Sequence, residues 1–197
     1  MNWGNVQAQD MLLVTDIPSL LLQAEQLGWE TLDLSNRGLT ALPPEIGRLT
    51  ALQSLNLSGN WLTALPIEFG QLEKLRSLDL GTNEFSKMPS VLYALNQLET
   101  LIFWNNRIAE IPLGLAQLQT LKHLDLGENA LTTLPDEIGQ LTQLTTLEIS
   151  MNRLSAVPPS ISRLVNLQFL DLSANPIDAL PTCLTQWVAQ TGLEIER

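Results

Sequence analysis

The chain has 197 residues, a net charge of −11 and an aromatic share of only 5%, and leucine is by far its most frequent residue. This acidic balance argues against a nucleic-acid partner, because phosphate binding needs clustered Lys and Arg side chains. The single cysteine, Cys183, excludes a disulfide framework and a cysteine-rich zinc site.

The first predicted element is an N-terminal helical cap over residues 1–28. Thr15 or Asp16 can cap a helix that carries Pro18 in its first turn and ends at Gly28. Its apolar side chains are predicted to cover the end of a core: Leu20, Leu21, Leu22 and Leu27. The opening residues lack the pattern of a Sec-type signal, and no apolar stretch is long enough to span a membrane, so we expect no membrane association.

Seven copies of a 23-residue unit follow over residues 29–189, without insertion or deletion. In each unit the first part alternates apolar and polar residues, as Leu124 and Leu126 do, which is typical of a short strand with one buried face. The last part spaces apolar residues by three or four, as Leu134, Ile138 and Leu141 do, which favours a helical turn. Stacked copies would bury these residues in one continuous core.

An eighth, incomplete unit is predicted at the C-terminus. Leu193 and Ile195 match the fourth and sixth positions of the unit, so residues 190–197 are expected to form a capping strand. Glu194 and Glu196 beside them would discourage pairing with another chain at that edge.

The pattern LxxLxLxxNxLxxLPxxIxxL of the units resembles the leucine-rich-repeat family, and its ending is similar to the 23-residue Ras-group class. The resemblance covers residues 29–189. It implies an α/β fold, a right-handed solenoid with a parallel sheet on the concave face and short helical segments on the convex face. It also implies a binding role, although it does not name the partner.

Catalytic and metal-binding constellations are scarce in the sequence. His123 and Asp125 share one face of a predicted strand near Ser77 and Thr146, but nothing supplies an oxyanion hole, so we expect no enzyme and no cofactor. The fifth position of the units forms an acidic column that includes Asp33, Asp79, Asp125, Glu148 and Asp171. Such a column on a flat strand cannot converge six ligands on calcium, and no metal site is predicted.

The fourth unit departs from the others on the face that should be concave. It carries Ile102 where other units have an acid or amide, and Trp104 where they have serine or glycine. Gly81 and Gly127 lie on either side of Trp104, so its indole could lie across the sheet. An aromatic side chain on a polar face is typical of a binding hot spot, and Ile102 and Trp104 are predicted as its anchor. The predicted surrounding residues are Trp61, Arg76, Lys122, His123, Glu128, Met151 and Phe169.

The predicted function is a non-catalytic module that binds a protein or peptide on the concave face, as a cytoplasmic signalling or scaffold adaptor. The concave positions hold eight acids against two bases, Arg76 and Lys122, which favours a partner with a basic surface. An alternative is a bacterial effector that is exported without a Sec-type signal and binds a host protein. The chain is expected to be a monomer, and a structural oligomer is a further alternative, through a convex patch of Ile67, Val91, Tyr93 and Leu113.

Overall fold

The computed structural model describes the backbone of residues 16–191 and 193–196, and the side chains of these residues except 187–191. Residues 1–15 of the predicted N-terminal cap, including Thr15, lie outside this part of the chain. Eight short strands form one parallel sheet in chain order, β1 to β8. Their bounds are Thr31–Asp33, Ser54–Asn56, Ser77–Asp79, Thr100–Ile102, His123–Asp125, Thr146–Glu148, Phe169–Asp171 and Glu194–Glu196.

The register of the sheet follows the repeat of the sequence. From β1 to β7, paired residues are 23 positions apart, as in Leu78↔Leu101 and Leu101↔Leu124. The middle residue of each of these strands is a leucine that is at most 3% exposed. The strands therefore stack their leucines into one core, and the residues on either side of each leucine face away from it.

The chain returns to each new strand through a tight helical segment rather than an α-helix. Each segment starts directly after a proline in extended conformation and is closed by i→i+3 hydrogen bonds, as from the Ile46 N–H to the Pro43 carbonyl oxygen at 3.1 Å. These 3₁₀ segments are Pro44–Arg48, Ile67–Gln71, Ser90–Ala94, Leu113–Gln117, Asp136–Gln140 and Pro159–Arg163. Together with the sheet they confirm the predicted solenoid, with the strands on one face and short helical segments on the other.

A row of asparagines ties the turns after the strands together. Asn106 donates to the carbonyl oxygens of Leu80 and Phe103 at 3.0 and 3.1 Å, and its side-chain oxygen accepts the Phe85 N–H at 3.0 Å. The same pattern recurs in the other units from the second to the seventh: Asn60, Asn83, Asn129, Asn152 and Asn175. An amide is needed here because it both donates and accepts.

Helix α1, Ile17–Leu27, covers the core at the end of the sheet where β1 lies. The helix ends at Gly28, which has a left-handed conformation with φ 62°. Two details of the prediction are wrong. Asp16 is the N-cap residue, but its side chain makes no capping hydrogen bond. Leu20 and Leu21 are buried as expected, whereas Leu22 and Leu27 are 52% and 65% exposed, because only one side of the helix meets the core.

The seventh unit ends differently from the others. Its convex segment is an α-helix, α2 at Thr182–Thr191, which begins with an i→i+4 bond from the Thr185 N–H to the Pro181 carbonyl oxygen at 3.1 Å. The longer helix delays the next strand, so β8 pairs with β7 at a spacing of 25 residues, with Leu170 opposite Ile195. The predicted strand exists at Glu194–Glu196, but its predicted register is wrong by two residues. Ile195, and not Leu193, lies opposite Leu170 at the fourth position of the unit. A shift by two keeps the alternation of faces, and Ile195 still packs against the core.

Candidate functional site

The exposed face of the sheet is built from the two residues that flank each buried leucine and from the turn that follows. The fifth position of the unit usually shapes that turn: the Asp79 Oδ1 accepts the Gly81 N–H at 2.8 Å, and the Asp125 Oδ1 accepts the Gly127 N–H at 2.9 Å. Asp33, Asn56 and Asp171 do the same in their units. The acidic column is therefore partly structural, a role that the sequence signals by an Asp or Asn two residues before a serine or glycine.

The fourth unit lacks this turn bond. Ile102 lies at the end of β4 with Asp79 and Asp125 as its partners on the neighbouring strands, and it has no oxygen to offer. Within the described residues the backbone N–H of Trp104 has no hydrogen-bond acceptor, while the backbone carbonyl oxygen of Trp104 accepts the Thr82 N–H at 2.7 Å. Among the described units, the sixth also lacks the bond, and Glu148 holds the fifth position there.

The Trp104 side chain lies to one side of its strand. A Cβ placed on Gly127 would be 3.1 Å from Cδ1 of the indole. A Cβ on Gly81 would lie near the Asp79 Oδ1, the Trp104 backbone oxygen and the Ile102 Cγ2, at 3.1, 3.4 and 3.7 Å, with no indole atom among these three nearest neighbours. The indole thus lies over the fifth unit and not symmetrically between the two glycines. It is 42% exposed and leaves an aromatic surface beside Ile102.

Arg76 and Lys122 are not free on this face. Both side chains bind the carboxylate of Glu99, Arg76 at 2.5 Å and Lys122 at 2.7 Å, from the same position of three consecutive units. The hydrogen bond from Lys122 and then that from Arg76 hold the pKa of Glu99 below its usual range. The two bases therefore serve first to neutralise Glu99, an arrangement that the 23-residue spacing could have indicated.

The acids that flank Ile102 have no such partner. Burial raises the pKa of Asp125 to about 6, with repulsion from Glu148 and Asp79 adding to it. Burial also raises the pKa of Asp79, and the charge of Asp33 contributes. Among the described residues, no lysine or arginine makes an ion pair with either carboxylate.

His123 lies at the start of β5, half-buried, with its Nε2 3.5 Å from the Glu148 Oε1. Burial lowers its pKa, although Asp125 opposes the shift. No hydrogen bond joins His123 to a hydroxyl within the described residues, so the structure brings no triad together there. Nor does the described part of the chain hold three His, Cys, Asp or Glu side chains grouped as metal ligands.

The remaining predicted residues spread over the face rather than forming one cluster. Glu128 and Met151 are exposed in the turns of the fifth and sixth units, in left-handed conformation with φ 53° and 52°. Phe169 is half-buried at the start of β7, three strands from Ile102. Trp61 is 67% exposed in the second unit, and within the described residues it makes no ring contact with Trp104.

The convex patch is less continuous than its sequence suggests. Ile67 and Leu113 are 77% and 63% exposed, but Val91 and Tyr93 are partly buried against the core. The Tyr93 ring lies on Gly114, where a Cβ would come within 2.3 Å of it.

No helix in the described part of the chain has the length and apolar character that a membrane crossing needs.

The repeats match family models of leucine-rich repeats. Models of three families match in succession: a leucine-rich repeat region at residues 30–106, a leucine rich repeat at 96–154, and a pair of leucine rich repeats at 142–183. A search of curated proteins gave no match.

Solved structures with the same fold come from bacteria and plants. A leucine-rich repeat protein of Leptospira interrogans is 30% identical, with 89% of this chain and 57% of that chain covered and a TM-score of 0.50. The functional domain of InlJ from Listeria monocytogenes is 25% identical, with 84% and 33% covered and a TM-score of 0.70. The plant peptide hormone receptor RGFR1, solved in complex with RGF2, is 33% identical, with 79% and 26% covered and a TM-score of 0.66. The chain thus spans less than two thirds of the length of each.

Proposed function

The chain belongs to the leucine-rich repeat family, and from that premise we propose that it is a non-catalytic module that binds a protein or peptide on its concave face. Members of this family and fold typically serve as interaction modules rather than enzymes. The observation that carries the proposal is the pair Ile102 and Trp104, with an indole that is 42% exposed in the middle of a mostly polar sheet face.

Trp104 has the features of a binding anchor. The indole rests on Gly127, so it is held in place before a partner arrives and loses little conformational freedom on binding. Ile102 extends the apolar surface at its base, and the acids on both sides form a polar rim. Such a central aromatic with a polar surround is typical of a hot spot, where truncation costs about 2 kcal/mol or more.

The similar structures support a binding role of this kind. RGFR1 was solved in complex with RGF2, so a repeat sheet of the same fold is found in a receptor with its ligand. Because this chain covers 26% of that receptor, the transfer to this protein is part of the proposal.

We propose that the protein works as a monomeric signalling or scaffold adaptor in the cytoplasm. The alternative is a bacterial protein that is exported and binds a host protein. The similarity to chains from Leptospira interrogans and Listeria monocytogenes supports this alternative. The two differ in where the partner is found, and one experiment addresses both.

The test is affinity capture from lysates of the source organism and of a host cell, with the wild type, Ile102→Ala/Trp104→Ala and Ile67→Ala/Leu113→Ala. The last variant removes comparable apolar surface from the convex side and is the matched control. We expect a protein that the wild type and the control retain and the concave variant loses, with unchanged melting temperatures. A partner from the organism's own lysate supports the adaptor, and one from the host lysate alone supports the exported protein.

The opposite pattern would contradict the proposal. If the captured proteins are lost only from Ile67→Ala/Leu113→Ala, the binding surface is convex. If Trp104→Ala lowers the melting temperature by several degrees and leaves binding unchanged, the indole is part of the scaffold.

A further inference from the structure

The surroundings of Ile102 are unusual in their charge. Asp79 and Asp125 are the strand partners of Ile102 on either side, so the two carboxyl groups lie on the same face, with the isoleucine between them. Neighbouring strands are about 4.8 Å apart, which sets the two aspartate backbones about 10 Å from each other. The space between them is floored by an apolar side chain and bordered by the indole of Trp104.

Neither carboxylate is neutralised within the described residues. The two concave bases bind Glu99, and the other ion pair between charged side chains in the described chain joins Arg107 to Glu84. His123 lies 3.5 Å from Glu148, and burial lowers its pKa, which disfavours its charged form. Each aspartate uses one oxygen, Oδ1, for the N–H of its own turn, which leaves the other oxygen without a bond partner among the described residues. A half-buried carboxylate in this state gains most from a cation that a partner brings.

We propose that Ile102 and Trp104, with Asp79 and Asp125 on either side, bind one lysine or arginine side chain from a peptide segment of the partner. The proposal rests on the concave binding function and gives it a partner chemistry. The aliphatic part of the basic side chain packs on Ile102 and against the indole, and its charged end lies between the two carboxylates.

A basic side chain suits this surface better than the other kinds. An apolar residue would cover Ile102 but would remove more water from two charged carboxylates, which is unfavourable. An acidic residue would be repelled by both. Lysine and arginine have an apolar stem and a charged end, and the face of tryptophan attracts a cation within about 6 Å of the ring. The backbone N–H of Trp104, which has no acceptor in the described chain, can donate a hydrogen bond to a carbonyl oxygen of the partner's peptide segment.

The test selects peptides on the whole 197-residue chain and asks whether a basic residue is needed. A displayed library of random 12-residue peptides is selected on the wild type, and the affinity of each binder is measured by fluorescence anisotropy. Each essential Lys is then replaced by norleucine, which keeps the stem and removes the charge. We expect a basic residue next to an apolar one in the binders, and an affinity at least about tenfold weaker after the replacement.

Matched variants locate the charge. Asp79→Asn/Asp125→Asn removes both carboxylates but keeps the turns, because Asn56 makes the same bond to the Ser58 N–H at 2.9 Å. Asp33→Asn/Asp171→Asn removes the same amount of charge from the same position of the first and seventh units. The two aspartates make the same turn bond there, so asparagine should keep these turns as well. We expect the first variant to weaken peptide binding about tenfold or more and the second to change it less than about twofold.

Acid should act in the same direction. The groups that face Asp125 are Asp79, Glu148 and His123, and protonation of any of them makes the surface less negative. Binding to the wild type is therefore expected to weaken as the pH falls from 7.5 to 5.5. The change should be smaller in Asp79→Asn/Asp125→Asn, in which only Glu148 and His123 of these groups still titrate.

The outcomes separate this proposal from the function on which it rests. Peptides that lose binding to Ile102→Ala/Trp104→Ala but bind Asp79→Asn/Asp125→Asn as well as the wild type leave the concave function in place and overturn the basic side chain. Equal weakening by both aspartate variants shows only diffuse attraction and also overturns it. Binders that are indifferent to all concave variants, or a library without binders, count against both.

Discussion

The fourth unit and the units on either side of it have the same scaffold and different concave surfaces. Leu78, Leu101 and Leu124 are completely buried in adjacent strands, and Asn83, Asn106 and Asn129 make equivalent bonds in the turns. In the third and fifth units an aspartate caps the turn before a glycine, whereas the fourth unit has Ile102 and Trp104 instead.

The repeat thus separates residues that maintain the fold from residues that can vary. The exchange at the concave face leaves the register of β3, β4 and β5 unchanged. It has a local cost, because the Trp104 N–H loses its acceptor and the carboxylates beside Ile102 face an apolar side chain. A cost borne by exposed positions alone is typical of functional sites.

The largest expected effect comes from breaking what the units share. Asn106→Ala leaves the buried Phe85 N–H without its acceptor. It also removes one of the two asparagine donors from each of the Leu80 and Phe103 carbonyl oxygens. We expect a loss of about 3 kcal/mol or more in the free energy of unfolding, measured by urea denaturation. Asn166→Ala, which removes an exposed bond to the Thr142 carbonyl oxygen, is the control and should cost less than about 1 kcal/mol. Equal losses would show that the asparagine row is not the tie between units.

A smaller effect, of opposite sign, is expected at the acids of the fifth unit. The pKa of Asp125 is raised to about 6 in the folded protein, so the folded state binds a proton more tightly than the unfolded chain does. Its contribution to stability is present below pH 4 and is lost as the pH rises through about 6. Asp125→Asn should therefore stabilise the protein by about 1–2 kcal/mol at pH 7, after allowance for solvent screening, and by little at pH 4.

Urea denaturation at the two pH values measures this difference. Asp33→Asn, at an exposed aspartate of the first strand, is the control and should change stability by less than about 0.5 kcal/mol. A wild type that equals Asp125→Asn at pH 7 would show that the carboxylate is well solvated.

A still smaller effect is expected at the two glycines on either side of Trp104. Gly127→Ala would place a Cβ 3.1 Å from the indole Cδ1, so the ring must shift by a few tenths of an ångström. Gly81→Ala places its Cβ 3.1 Å from the Asp79 Oδ1 and away from the ring. We expect the indole N–H signal of Trp104 in an NMR spectrum to move in Gly127→Ala only, with a cost of about 1 kcal/mol or less. A signal that moves in both variants would place the ring between the glycines.

The sequence predicts most of the fold because its periodicity fixes the register. The spacing of 23 residues gives the strands, their order and the buried leucines of the first seven units. The spacing fails at the eighth strand, since Leu184 fits a 3₁₀ segment and an α-helix equally. The structure shows an α-helix there, with the Thr185 N–H bonded to the Pro181 carbonyl oxygen, and β8 follows β7 two residues later than the repeat predicts.

The site is less predictable because it depends on side-chain directions. Ile102 and Trp104 stand out in the sequence as exceptions, but two identical glycines cannot tell which one the indole covers. Arg76 and Lys122 suggest free positive charge, whereas their distances to Glu99 show that they are occupied. The bond between Asp125 and the Gly127 N–H likewise explains an acid that the sequence presents only as charge.

The constant spacing of the paired residues also makes the protein's length adjustable. Removing residues 144–166 would join Gln143 to Leu167 and bring Phe169 opposite His123 at the same spacing of 23 that now separates His123 from Thr146. The solenoid would become shorter by one step of about 4.8 Å, and the fourth unit would keep both of its neighbours. An excision one residue longer or shorter would turn every following leucine toward solvent. Evolution or a designer can therefore change how far this molecule reaches while Ile102 and Trp104 keep their adjacent strands, provided that the change is made in whole units.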